Sequence, residues 1–243
     1  MLSKNQIKLV ASLKQKKYRN QHGLFVAEGI KTIEELLASQ IKLYHLFTTE
    51  SFQLGSQKET LITDHELKKI SYLTTPNKAL ALFEIPNVLP LDKSQLIVAV
   101  DEVRDPGNLG TIIRLCDWFG IEHLVCSTGT VDCFNPKVIQ ATMGSIIRVN
   151  IHYLDLPHLL SDFDYPIFGA FMDGENVYSK ALPNQGLVIM GNEANGISKE
   201  VEKFVTDRIS IPRFGKLQET ESLNVATATA ILLSEFKRNS TET

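Results

Sequence analysis

Hydrophobic and polar positions trade places along this chain with two periods in turn, and the alternation predicts helices and strands in succession from end to end. Ile7, Val10, Ala11 and Leu13 recur at helical spacing among lysines, which predicts a helix over 3–17 with a basic outer face. A short apolar run at 24–27, a second amphipathic helix over 29–39 and a strand-like stretch at 43–47 follow. Ile62, then 64–70 and 79–85, continue the pattern until Pro86, Pro90 and the polar residues 92–95 interrupt it, and a domain boundary is expected near residue 90. Residues 96–100 are a continuous apolar run bounded by charge, the pattern of a strand covered on both faces in a parallel sheet. Beyond it the spacing predicts helix 108–119, strand 121–126, helix 135–141, strand 147–151 and helix 156–163. Strands 166–170 and 186–190, helix 198–204, strand 207–211 and a last helix over 223–238 complete the series. The expected fold class is α/β: a small α/β domain over 1–90, then a mostly parallel sheet with flanking helices over 91–243.

Composition narrows the function classes. A chain of 243 residues can bury two modest cores, and no apolar run approaches the roughly 20 residues that cross a bilayer, so no membrane association is expected. The lysine-rich start lacks the apolar centre of a signal peptide, which points to a cytoplasmic protein. Cys116, Cys126 and Cys133 form no C-x-x-C pair, and the six histidines lack ligand spacing, so neither disulfides nor a metal site are expected. A net charge of -3 argues against coating nucleic acid with the whole surface. Residues 1–42 nonetheless carry eight Lys and Arg against three Glu, a basic stretch that reads either as a phosphate-contacting arm or as a solvated helix face.

Three segments carry the candidate chemistry. The first, Asp101 to Gly110, leaves the carboxyl end of a buried strand, where open α/β sheets bind ligands, and the next helix places Arg114 about a turn from its start. It lacks the G-x-G-x-x-G of a dinucleotide site. The second, Gly191-Asn192-Glu193-Ala194-Asn195-Gly196, again follows a buried strand. Glu193 stands there in an apolar and glycine-rich setting, where a buried charge must be paired. The third runs from Ile211-Pro212 to Ser222-Leu223-Asn224-Val225-Ala226, with Ser222 as the expected cap of the last helix and Asn224 inside its first turn.

As an ordered set, N-x-G-x-x-x-R (Asn108, Gly110, Arg114), G-N-E-x-x-G (Gly191 to Gly196) and I-P followed by S-L-N-V-A resemble the motifs of the SpoU/TrmH family of RNA 2'-O-methyltransferases, within the SPOUT superfamily. Phe25 to Gly29 resembles the ribosomal-protein-like substrate-binding domain that many members carry. One departure is the stretch 213–221, a few residues longer than the usual loop. The resemblance implies a deep trefoil knot, a homodimer with the site near the subunit interface, and S-adenosylmethionine held largely by backbone groups at Gly191, Ile211 and Leu223. It implies Arg114, Asn108, Glu193, Ser222 and Asn224 as the catalytic set. Arg114, whose guanidinium stays protonated, would clamp a phosphate and steady the developing alkoxide; Asn108 and Glu193 would orient Arg114 or the ribose; Ser222 and Asn224 would hold the substrate. The expected partner is RNA, with ribosomal RNA favoured over transfer RNA. Two readings stay open beside it: a noncatalytic RNA-binding scaffold on the same fold, and methylation of a base instead of a ribose.

Overall fold

The computed structural model describes residues 2–215, 217 and 222–238. The chain divides into two compact units, Met1–Asn87 with Asp132–Ile147, and Val88–Val131 with Arg148–Thr243. The two therefore exchange the chain three times, whereas a single division at residue 90 passes over the excursion at 132–147.

In the first unit, Ser3 and Thr63 open helices α1 (Lys4–Ser12) and α4 (Asp64–Ile70) with reciprocal capping boxes to Gln6 and Glu66. The single helix expected over 3–17 is two, α1 and α2 (Lys16–His22). The break has a physical partner: Arg19, 2% exposed, donates to the carbonyls of Leu13 and Lys14 freed where α1 ends, and pairs with Asp132. Arg19 is thus lost from the basic surface that the sequence suggested. Strands β1 (Leu24–Glu28), β2 (Leu43–Thr48), β3 (Glu59–Leu61) and β4 (Ala79–Glu84) form a mixed sheet in the order β1-β4-β2-β3, with α3 (Ile30–Leu37) packed on β1 and β4.

The second unit is a six-stranded sheet in the order β10-β8-β9-β5-β6-β7, parallel throughout. Its strands are β5 (Leu96–Val100), β6 (His123–Ser127), β7 (Asn150–Leu154), β8 (Ile167–Asn176), β9 (Gly186–Met190) and β10 (Asp207–Ser210). Every residue of β5, β6 and β9 is buried, as the unbroken apolar runs require of central parallel strands. Helices α5 (Pro106–Trp118), α7 (Leu156–Leu160), α8 (Lys199–Glu202) and α9 (Val225–Lys237) belong to this unit, and α5 packs against α9. Helix α6 (Pro136–Thr142) belongs to the first unit and packs on β1.

Two strands differ from expectation. The strand expected at 147–151 begins at Asn150, because Met143 and Gly144 end α6 with positive φ and a short 3-10 turn, Ser145–Ile147, intervenes. Strand β8 runs six residues past the expected end. Its pairing with β10 jumps from Gly169 opposite Arg208 to Glu175 opposite Ile209, so the intervening residues bulge out. The jump needs Gly174: a Cβ there would lie 2.5 Å from the Ile209 carbonyl carbon.

Candidate functional site

The three motif segments meet in the second unit through one amide. Asn108 Nδ2 donates to Glu193 Oε1 at 2.9 Å, and Asn108 Oδ1 accepts from Asn224 Nδ2 at 2.8 Å. A hydrogen-bonded chain Glu193–Asn108–Asn224 therefore joins residues separated by 85 and 116 positions in sequence.

Each member is fixed locally. Asp105 caps α5, with Pro106 at its first turn, and accepts from the Asn108 N–H at 2.8 Å. Asn224, not Ser222, caps α9: its Oδ1 accepts from Ala226 N and Thr227 N at 3.0 and 3.2 Å. Asparagine is a poor interior residue but a favoured cap, so Asn224 stands just before the helix instead of inside its first turn. Glu193 is exposed, contrary to the buried charge inferred from its neighbours. Its carboxylate faces the backbone N–H groups of Arg104 and Asp105 at 3.5 and 3.4 Å as well as Asn108.

The loops are held rigidly behind these side chains. Asn192 donates to the Glu102 carbonyl at 2.6 Å and accepts from Ala194 N and Asn195 N, while its backbone pairs both ways with Gly196 at 2.9 Å. Gly191 lies against the turn so closely that a Cβ would sit 2.2 Å from the Gly196 carbonyl carbon. Glu102, a non-glycine with φ of +55°, is held from three sides: its N–H donates to Ser127 Oγ at 2.8 Å, its carbonyl takes Asn192, and its carboxylate grips Arg104 at 2.6 Å. Asp101, 4% exposed, accepts from Ser198 N at 2.8 Å. Asn192 and Asp101 carry the loop geometry and were not singled out from the sequence. An Asn between two glycines five positions apart, Gly191 and Gly196, is the signal of a side-chain-closed turn.

The structure does not bring every expected residue into this chain. Among the described residues no hydrogen bond joins Arg114, Ser222, Ile211 or Leu223 to it. Arg114 is exposed and lies nine residues into α5, more than two turns from the start instead of about one, and touches neither Asn108 nor Glu193 through a hydrogen bond. Ile211 is half-buried just beyond β10, and Leu223, 46% exposed, precedes Asn224. Of the longer loop 213–221, residues 216 and 218–221 lie outside the described residues. A cavity of about 180 Å³ opens in the first unit beside Glu28, Tyr72 and Lys137, and no site residue lines it. Burial raises the Glu28 carboxyl above the usual carboxylate range against the opposing hydrogen bonds from Ser71 and Tyr72.

The model of the SpoU rRNA methylase family matches residues 95–234, the span that holds all three motifs. The chain belongs to this family. An MRM3-like substrate-binding domain matches residues 4–81. Among relatives of this SpoU protein, the 23S rRNA (guanosine(2553)-2'-O)-methyltransferase RlmP of Bacillus subtilis is 28% identical, over 97% of each chain. A protein from Porphyromonas gingivalis assigned to the TrmH family of RNA methyltransferases superposes with a TM-score of 0.89. It is 39% identical, over 98% of this chain and 99% of that one. An AdoMet-bound rRNA methyltransferase from Sinorhizobium meliloti gives a TM-score of 0.86 at 26% identity, over 98% and 96% of the two chains.

The residues present fit a methyl-donor site of that kind. The ends of parallel strands β9 and β10 open into glycine-containing loops, and Leu223 and Ile211 leave apolar surface partly exposed beside them, the setting in which open α/β sheets bind a nucleoside.

Proposed function

We propose that this SpoU-family protein methylates a ribose 2'-hydroxyl in ribosomal RNA, using S-adenosylmethionine. The observation that carries the reading is the Glu193–Asn108–Asn224 chain, which ties the three motifs into one rigid constellation at the strand ends. The donor supplies a methyl group already activated by its sulfonium charge. Gly191, Ile211 and Leu223 would hold it, largely through their backbone groups. Transfer forms a bond from the 2'-oxygen to the methyl carbon as the sulfonium bond breaks, and the hydroxyl proton passes to solvent or to a base.

The protein's own task is to align the hydroxyl and favour negative charge on its oxygen. Asn108 and Asn224, fixed by each other and by Glu193, would orient the ribose, with Ser222 at the substrate end. Arg114 would meet the adjacent phosphate from its exposed position on α5. Trp118, 84% exposed and one turn further along the same helix face, supports a homodimer in which this face of α5 is covered by a second copy. The polypeptide path implied by the family is a trefoil knot, with residues 1–90 as the RNA-binding part and 91–243 as the transferase. The protein would act on ribosomal RNA in the cytoplasm.

The test is transfer of labelled methyl from S-adenosylmethionine to ribosomal RNA by the purified protein, followed by nuclease digestion. Label on ribose supports the reading. Label on a base, or calorimetry showing no S-adenosylmethionine binding, overturns it, the second result favouring a noncatalytic scaffold. In the same assay Arg114→Ala is expected to bind the donor normally and to lose transfer; near-normal turnover removes Arg114 from the mechanism.

A further inference from the structure

Tyr178 and Phe214 form a stacked pair on the surface of the second unit, with ring centroids 6.4 Å apart and planes at 26°. Phe214 is 83% exposed and Tyr178 38%. A single exposed apolar residue is ordinary, but two rings arrayed face to face in water present an ordered π surface that nothing in the described residues covers.

Tyr178 is anchored from beneath. It lies in a 3-10 turn, Val177–Ser179, whose Val177 is fully buried and which packs against α9. Asn176 caps that turn by accepting from Tyr178 N at 3.0 Å, and Ser179 Oγ returns a bond to the Asn176 carbonyl. Phe214 is three residues past Ile211, between Arg213 and Gly215, both exposed. The pair thus joins the loop leaving β10 to the turn that follows β8, just beyond the point where Asn176 pairs with Ser210.

We propose that Tyr178 and Phe214 are a stacking platform for an unpaired nucleobase of the RNA, next to the nucleotide that is methylated. This rests on the RNA-methylation reading and extends it to how the strand is held. Unpaired bases splay onto aromatic faces, and each base offers a π face whatever its sequence. The surroundings favour a base over a second copy of the chain. The residues that flank the two rings along the chain, Asn176, Ser179 and Arg213, are polar or charged, whereas the core of a protein interface is a broad apolar patch poor in charge.

The experiment uses the full chain and a single-stranded RNA oligonucleotide carrying one 2-aminopurine, whose fluorescence is quenched on stacking. The wild-type protein is expected to quench it. Phe214→Ala and Tyr178→Ala are expected to weaken RNA binding about tenfold and to abolish the quench, and Phe214→Trp to restore both. S-adenosylmethionine affinity by calorimetry and mass by sedimentation should be unchanged. Phe214, being almost wholly in solvent, gives a variant whose folding is not at issue. The proposal is overturned by unchanged RNA affinity in Phe214→Ala, by a loss of donor affinity instead, or by a change of oligomeric state. If the wild-type protein neither binds RNA nor transfers methyl, the functional reading fails as well; if it does both and the variants match it, the platform alone is wrong.

Discussion

Asn224 uses the two ends of one amide for two tasks, since its oxygen caps α9 and its nitrogen donates to Asn108. The tasks can be separated. Asn224→Asp keeps the capping oxygen and removes the donor, so it should leave the thermal midpoint nearly unchanged while methyl transfer falls at least tenfold. Asn224→Ala should lose transfer and also about 1 kcal/mol of stability with the cap. Activity intact in Asn224→Asp, with stability lost only in Asn224→Ala, would make the residue a cap only. Gly191→Ala gives a second residue-scale expectation. Its Cβ would meet the backbone of Gly196 at 2.2 Å, so the turn itself must move, and calorimetry should find weaker S-adenosylmethionine binding. Motif spacing made Asn108, Glu193 and Asn224 legible in the sequence, because each sits at a fixed offset from a glycine, proline or serine. That Asn108 takes the other two at once was not legible, since the partners are 85 and 116 positions away. Nor was the exposure of Glu193: apolar neighbours along a chain say little about which way a loop side chain faces.

At the scale of elements, the central strands β5 and β9 were readable because both of their faces are buried and the apolar run is unbroken. The edges were not. Strand β8 continues because a register jump lets β10 pair with its far half, and that is a property of two strands together. The helix expected over 3–17 splits because Arg19, in the helix that follows, satisfies the carbonyls at the break. At the other edge, His123 Nδ1 and His152 Nε2 lie 3.0 Å apart across β6 and β7, with His123 3% exposed. Burial, and then the His123 charge, hold the His152 imidazole below its ordinary value. A base with a lowered folded value binds fewer protons than its unfolded form just below pH 6.5. Its contribution is therefore complete above that pH and is lost as pH falls further. Urea denaturation should show stability declining between pH 7 and pH 5 more steeply in the wild type than in His152→Gln; parallel profiles would mean that the pair does not sense protons.

For the molecule as a whole, the pattern of alternating elements gave the class but not the excursion at 132–147. Residues 135–141 read as one more crossover helix, and a crossover helix carries no mark of the sheet it will cover. The structure assigns α6 to the first unit, where Phe134 packs 5.0 Å from Phe25 and Asp132 meets the buried Arg19. Removing Asp132 leaves that guanidinium uncompensated, so Asp132→Ala is expected to cost about 3–5 kcal/mol in equilibrium denaturation. A change below about 1 kcal/mol would show that the pair is not a structural tie.

The excursion also orders events during synthesis. Most of the first unit precedes the second along the chain, yet its last segment, ending at Ile147, leaves the ribosome about 60 residues after Asn87. At 5–20 residues per second that is a wait of roughly 3–12 s. Until Asp132 emerges, about 45 residues after Asn87, Arg19 has no counterion, and the first unit closes only once part of the second has already been made.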